Sequence, residues 1–299
     1  KAGKSFFYKK TSKKIADKKT LTRIKSLVIP PAWRNVWICD LENGHLQCTG
    51  IDAMGRKQYR YHPLWNALRK ETKFYRLLQF GEALGNLRKK LSIHLAEPAL
   101  SKQKVLAAIV STMDKTGIRV GNTMYEKLYG SYGLSTLKDQ HIKINGNKVV
   151  FSFKGKKGVY QNISMRSARL AKIIRQCKEI PGKELFQYLD ETGQRHSITS
   201  GDVNDYIKEI SGGAFTSKDF RTWAGTVECI LNFARIGGFE TKTEMKKNVI
   251  DALDCVAKTL GNTRTVCKTH YVHPLILAMY EDTRLSEYLK KLDTNGKDA

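Results

Sequence analysis

The chain has 299 residues, 53 Lys+Arg against 28 Asp+Glu, a net charge of +25 and a pI near 9.8. That length buries one large core or two smaller ones. No apolar run approaches the roughly 18 residues a transmembrane helix needs, and the stretch 27–33 is broken by Pro30 and Pro31, so a membrane-spanning helix is excluded.

The first 19 residues are Lys-rich and read as a flexible basic arm. A short helix is expected over 20–27, stopped by Pro30-Pro31. Three strand-like segments follow. The first, 36–39, leads into Glu42-Asn43-Gly44, whose Asn-Gly pair is a hairpin signal. The second runs over 45–51, and Ala53-Met54-Gly55 turns the chain into the third, 57–61, of alternating polar and aromatic residues. Beyond Leu64 the period becomes helical: Tyr75, Leu78, Ala83, Leu87, Leu91 and Leu95 can line one face, and Val105, Ile109, Met113 and Ile118 another. A second β patch is expected over 141–145, 148–153 and 159–164. From Arg166 onward the chain reads as helices, with breaks near Pro181, Ser211-Gly212-Gly213, Gly237-Gly238 and Gly261. The fold class is therefore α+β: a small N-terminal antiparallel β-sheet domain, 1–72, and a larger, mostly α-helical domain, 73–299, carrying a small three-stranded sheet.

The charge is unevenly placed. Residues 1–200 hold 39 basic and 14 acidic residues, whereas 201–299 hold 14 of each. The whole excess lies in the first two thirds, as expected if that part covers a polyanion. Duplex DNA, with one negative charge per ~1.7 Å of axis, is the expected partner, and an anionic membrane surface the alternative. The chain opens on Lys1 without a Met or a signal-peptide pattern, so an intracellular protein is expected. Six scattered cysteines do not make a disulfide framework. Cys39, His45 and Cys48 lack the paired spacing of structural zinc and are expected as small side chains on a hairpin.

Several chemistries are missing from the sequence. There is no G-x-x-x-x-G-K-[ST] phosphate loop, H-E-x-x-H or EF-hand pattern. Asp202/Asp205 and Asp251/Asp254 sit beside lysines and read as solvated helix faces. No cofactor, nucleotide or metal is expected. What remains is chemistry by fixed cations and a side-chain nucleophile. Arg119 lies in Gly117-Ile118-Arg119-Val120-Gly121-Asn122, Lys156 sits at the tip Lys154-Gly155-Lys156-Lys157-Gly158, and Arg221 follows Lys218-Asp219-Phe220. On spacing alone each is an ordinary surface charge, and Tyr271, one of 13 tyrosines, an ordinary core or interface residue.

Together these residues resemble the type IB DNA topoisomerases. Arg119, Lys156, Lys218/Arg221, Asn262 and Tyr271 fall in the family's order and local context. Ile29-Pro30-Pro31-Ala32-Trp33, Asn43-Gly44-His45-Leu46-Gln47 and the segment from Gly50 to Pro63 resemble the small bacterial and poxviral-type enzymes. Asn262 departs from the histidine of poxviral and eukaryotic members and points to the bacterial branch. The resemblance implies a monomeric enzyme that relaxes supercoils without ATP or metal. In it Tyr271 attacks a phosphodiester to give a 3′-phosphotyrosyl link, while Arg119, Arg221 and Asn262 bind the nonbridging oxygens. Lys156, assisted by Lys218, protonates the departing sugar oxygen. It also implies DNA contacts from Arg56, Lys57, Gln58, Tyr59, Arg60 and Tyr61, and two lobes, joined near 70–75, that close on the duplex. The alternatives are a tyrosine site-specific recombinase, which usually carries H-x-x-R where this chain has Lys218-Asp219-Phe220-Arg221, and a non-catalytic DNA-binding protein.

Overall fold

The computed structural model describes residues 6–292 and divides into two compact units, Lys1–Tyr75 and Arg76–Ala299. About 54% of it is helical, and its sheets are small and antiparallel, which makes it α+β.

The first unit opens with two two-residue strands, β1 (Lys9–Lys10) and β2 (Lys13–Lys14), paired antiparallel across Thr11 and Ser12. The basic arm thus carries a short hairpin over its described part. Tyr8 accepts from the Ile15 N–H at 2.9 Å, and Lys10 pairs with Asp40 at 3.2 Å. The part of the arm before Phe6 lies outside the described residues. Helix α1 (Lys18–Ser26) begins two residues earlier than expected because the Asp17 carboxylate caps it through the Thr20 N–H. Strands β3 (Arg34–Ile38), β4 (Leu46–Ile51) and β5 (Lys57–Tyr61) form one meander in that order. The buried Gln47 side chain organises its first turn. Its Nε2 donates to the carbonyls of Leu41, Glu42 and Gly44, and its Oε1 accepts from Arg23. Cys48 is fully buried, while His45 packs against Trp65. Among the described residues no group of three or more His, Cys, Asp or Glu side chains is arranged to hold a metal ion.

Helix α2 (Pro63–Leu95) contains the boundary between the units. Its buried face is Phe74, Leu77, Phe80, Leu84, Leu87 and Leu91, whereas Tyr75 and Leu78 are exposed, which corrects the expected face by one residue at its start. The steps of 3, 3, 4, 3 and 4 hold one helical stripe; the expected set needed a step of five.

In the second unit α3 (Lys102–Thr116), capped by Ser101, runs through the middle of the core. Helix α4 (Thr123–Tyr129) follows, then the sheet β6 (Ile142–Asn145), β7 (Lys148–Lys154) and β8 (Tyr160–Arg166). Helix α5 (Ala168–Glu179) leads to a hairpin that the helical reading passed over, β9 (Gln187–Leu189) and β10 (Arg195–Ser197). Its turn is built on Asp190, whose Oδ1 accepts from the Thr192 and Gln194 N–H groups. Helices α6 (Ser200–Ser211), α7 (Ser217–Ile236), α8 (Lys242–Leu260), α9 (Arg264–His270), α10 (Pro274–Glu281) and α11 (Ser286–Leu289) complete the unit. The expected breaks at Gly212, Gly237 and Gly261 are helix C-caps. Asp202, expected as a solvated face, instead caps α6 and pairs with Lys102 at 2.7 Å.

Two apolar cores result. One joins α2, α3, the three-stranded sheet, α5 and α6; the other joins α7 to α11. Helix α7 contributes to both, through Phe220 in the first and Cys229 and Phe233 in the second. Residues placed at its start are therefore held from both sides.

Candidate active site

Five separate segments of the second unit bring the sequence-selected side chains together. The first is the loop after α3. Gly117 ends that helix in the left-handed region (φ 63°), and the Arg119 carbonyl then accepts from the Leu134 N–H at 2.9 Å. A Cβ on Gly133 would lie 2.5 Å from the Gly121 nitrogen and 2.6 Å from the Arg119 oxygen, so only glycine lets the two backbones meet. This contact fixes Arg119, whose Nη2 donates to Asn262 Oδ1 at 2.7 Å.

The second segment is the start of α7. Asp219 accepts from the Thr216 N–H at 2.7 Å and so caps the helix one turn ahead of Arg221. Arg221 is only 5% exposed. Its Nη1 donates to the Gly117 carbonyl and its Nη2 to the Leu260 carbonyl at 2.8 Å; its buried Nε has no hydrogen-bond partner. Each terminal nitrogen has thus given one hydrogen to the backbone. The guanidinium also hydrogen-bonds the Tyr271 side chain, which ties the tyrosine to the same cation. Lys218, on the same turn, is exposed.

The third segment is the loop between α8 and α9. Asn262 is half-buried; its N–H donates to the Ala257 carbonyl at 2.9 Å and its Nδ2 to that of Leu260 at 3.2 Å. The fourth is the end of α9, where Tyr271 donates its N–H to the Cys267 carbonyl at 2.9 Å. Its ring lies under Arg221, with the guanidinium carbon 5.1 Å from the ring centroid. The fifth is the tip between β7 and β8. Gly155 donates to the Val159 carbonyl at 2.8 Å, Lys157 turns the chain with φ 61°, and Lys156 stands at the exposed tip. Arg119, Gly155, Lys156, Gln161, Arg221 and Leu260 line one small cleft.

The charges act on one another. Burial raises the pKa of the Tyr271 phenol, but the positive charges of Arg221 and Arg119 outweigh it and hold it below its ordinary value. Lys156 is shifted down by desolvation and then by Arg119, with smaller contributions from Lys157 and Lys218. Desolvation, with Arg119 second, lowers Arg221 to about 10, so it stays charged at neutral pH.

Three residues not picked out in the sequence help build the site. A Cβ on Gly225 would lie 2.7 Å from the Tyr271 carbonyl oxygen, so this glycine lets the tyrosine segment lie against α7. Thr226 Oγ1 donates to the Tyr271 carbonyl at 3.2 Å and accepts from the His273 N–H at 3.1 Å, tying the chain on both sides of the ring. The Gln161 amide rests on Gly261, where a Cβ would lie 2.5 Å from its Oε1. The one available signal was Gly225, four residues after Arg221 and so on the same side of a helix.

The six residues selected around β5 do not act alike. Lys57, Tyr59 and Tyr61 alternate onto one face. Tyr59 and Tyr61 stack at 6.2 Å, Lys57 lies over Tyr59, and Arg69 lies 5.3 Å over Tyr61. Arg56 and Gln58 are tied to Asp52 Oδ2 at 2.6 and 2.8 Å, and Arg60 donates to the Val28 carbonyl at 2.8 Å.

Residues 64–295 match the family model described as eukaryotic DNA topoisomerase I, catalytic core, and residues 5–52 match that of the bacterial DNA topoisomerase IB N-terminal domain. The chain belongs to the type IB DNA topoisomerases, a family of isomerases acting on DNA. It is 33% identical over 271 residues to DNA topoisomerase 1B of Acanthamoeba polyphaga mimivirus, covering 88% of this chain and 81% of that protein. It is 22% identical over 244 residues to DNA topoisomerase 1B of Vaccinia virus (strain Copenhagen), covering 81% and 74%. With DNA topoisomerase 1 of Rabbit fibroma virus (strain Kasza) it shares 23% over 235 residues, covering 76% and 70%.

Proposed function

We propose that this DNA topoisomerase relaxes supercoils without ATP or metal, by cutting one strand through a 3′-phosphotyrosyl intermediate and resealing it. The observation that carries the reading is the placement of the Tyr271 ring against Arg221, with Arg119 near enough to join Arg221 in lowering the phenol pKa despite burial.

In this reading Tyr271 Oη attacks the phosphorus of the scissile diester. Negative charge grows on the nonbridging oxygens as the centre becomes pentacoordinate. The guanidiniums of Arg119 and Arg221 stabilise it, with Asn262 donating a neutral hydrogen bond. The guanidiniums are already held by backbone and side-chain partners, so little reorganisation is needed at the moment of reaction. The bond to the 5′ oxygen breaks, and that oxygen takes a proton from Lys156. A lysine whose pKa is lowered by desolvation and by Arg119 gives up its proton more readily. Lys218 adds to the positive field around Lys156. Phenol is a far better leaving group than a sugar alkoxide, so the 5′ hydroxyl can later attack the phosphotyrosyl bond and restore the strand.

The first unit, with 17 basic against 5 acidic residues over 1–75, supplies affinity for the backbone. Its Lys57, Tyr59 and Tyr61 face is the surface offered to the groove, while Arg56, Gln58 and Arg60 hold that strand in shape. The enzyme acts as a monomer on nucleoid DNA and needs no nucleotide cofactor for the reaction. Plasmid relaxation in EDTA without ATP tests the reading. Wild type should relax DNA, and Tyr271→Phe should not, while keeping duplex binding. Relaxation by Tyr271→Phe would remove the tyrosine from its role.

A further inference from the structure

A second group of cations in the C-terminal unit shares no residue with the tyrosine site. The turn after α2, the first turn of α3 and one face of α5 enclose a cleft of about 340 Å³. Lys104 forms part of its wall and is only 7% exposed. Among the described lysines and arginines, only Lys104 and Arg221 are that deeply buried. Lys104 Nζ donates to the Glu97 carbonyl at 2.6 Å and has no carboxylate within ion-pair distance among the described residues. The Glu97 carboxylate accepts from the Ser101 hydroxyl. A buried ammonium without a counter-ion is costly to keep.

Helix α5 adds Arg169, Lys172 and Gln176, spaced three and four apart and so on one face. Arg169 Nη1 donates to Ser92 Oγ at 3.2 Å. Gln176 Oε1 is buried without a hydrogen-bond partner. Leu95 and Ile173 give the same cleft an apolar side. Glu97 also lines the cleft, its carboxylate held by Ser101, so three cations outnumber one carboxylate; with an unpaired acceptor and an apolar wall they ask for an anion that also carries a hydrogen-bond donor and a ring. The volume lies in the range of small-molecule sites, about 300–1,000 Å³.

We propose that this cleft binds a nucleoside phosphate. Its phosphoryl oxygens meet Lys104, Arg169 and Lys172, a sugar hydroxyl or base amine donates to Gln176 Oε1, and the ring lies on Leu95 and Ile173. The phosphate ester comes either from a free mononucleotide or from a nucleotide of bound DNA. This reading does not depend on the role given to Tyr271.

Calorimetric titration of the full chain with deoxyadenosine monophosphate, and separately with duplex DNA, tests it in wild type, Lys104→Met, Arg169→Ala and Arg119→Ala. If the ligand is free, one equivalent of the mononucleotide binds, roughly 10- to 150-fold more weakly in the Lys104 and Arg169 variants, and unchanged in Arg119→Ala. If the ligand is part of DNA, the mononucleotide does not compete. Both cleft variants then lose duplex affinity and lower the salt slope by about 1. Wild-type mononucleotide and duplex binding by Arg169→Ala, with an unchanged melting temperature, overturns the proposal. Arg169 is exposed, so this variant decides the question even if Lys104→Met fails to fold.

Discussion

Gly225 offers a way to move the candidate nucleophile without touching a charged group. Replacing it with alanine has two opposed effects. Within α7, alanine loses less backbone entropy than glycine, a gain of about 0.5–1 kcal/mol. Against this, the new Cβ would stand 2.7 Å from the Tyr271 carbonyl oxygen, 3.0 Å from its Cβ and 3.1 Å from Leu260 Cδ1. Ordinary contact begins near 3.4 Å, so the tyrosine segment must retreat by several tenths of an ångström. Overpacking of this kind costs about 1–3 kcal/mol, which offsets the propensity gain and leaves a net loss of up to about 2.5 kcal/mol. Thr226 and the Cys267 carbonyl hold the same segment, so the ring shifts with it. Since about 1 Å of misplacement costs on the order of 10²-fold in rate, single-turnover cleavage should fall roughly 10- to 100-fold. Gly85→Ala is the control: it lies on α2 with nothing within 4 Å of a Cβ. It should stabilise the chain in urea and leave cleavage unchanged. If Gly225→Ala matched Gly85→Ala in both urea melts and cleavage rate, the close packing of Tyr271 on α7 would be refuted.

Lys156→Ala should slow cleavage by about 10²–10⁴-fold, and a substrate with sulfur at the 5′ leaving position should restore it. Arg119→Ala and Arg221→Ala should stay slow on that substrate; equal rescue of all three would take the proton-donor role from Lys156. In the pH profile of single-turnover cleavage, the rate rises as Tyr271 loses its proton and falls as Lys156 loses its own. Because both are shifted down, the maximum should lie at lower pH than their ordinary values of 10.0 and 10.5 would place it, and Lys156→Ala should remove the falling limb. Filter-binding titrations should show Lys57→Ala lowering the salt slope by about 1, with Arg56→Ala, tied to Asp52, leaving it unchanged. Hydrogen bonds from Lys102 and Thr199 outweigh burial and lower Asp202 to about 2. That stabilisation is complete above its unfolded value of 3.8 and fades as pH falls toward 2, so Asp202→Asn should cost about 2 kcal/mol at pH 7 and about half that at pH 3 in urea melts.

The sequence was most legible where a short-range signal and a long-range constraint agree. Strand β5 falls on Lys57–Tyr61 as expected, because its alternation is bounded by Gly55 on one side and Pro63 on the other. The glycine breaks between late helices were equally clear. The α2 face was misjudged because Phe74/Leu77 and Tyr75/Leu78 are equally good pairs locally. Only the stripe carried back from Leu91 through Phe80 chooses between them. The β9–β10 hairpin was missed although Asp190 and Gly193 mark its turn, since three-residue strands carry too little alternation to register. At the candidate site, the side chains that bear charge could be picked out from local context and family order. What holds them could not: Gly133 against Gly121, Gly225 against Tyr271, and Gln161 on Gly261 are contacts between residues far apart or unremarkable in sequence. Nor does spacing reveal that Asp52 occupies Arg56 and Gln58, leaving Lys57, Tyr59 and the half-buried Tyr61 on the opposite face.

The most direct test traps the enzyme on a nicked duplex whose cut fragment diffuses away, then digests the denatured adduct and maps the modified peptide by mass spectrometry. The account expects a nucleotide esterified to Tyr271 through its 3′ phosphate, formed in EDTA and without ATP. A nucleotide on any other residue, attachment through a 5′ phosphate, or an adduct that forms only with metal would contradict it.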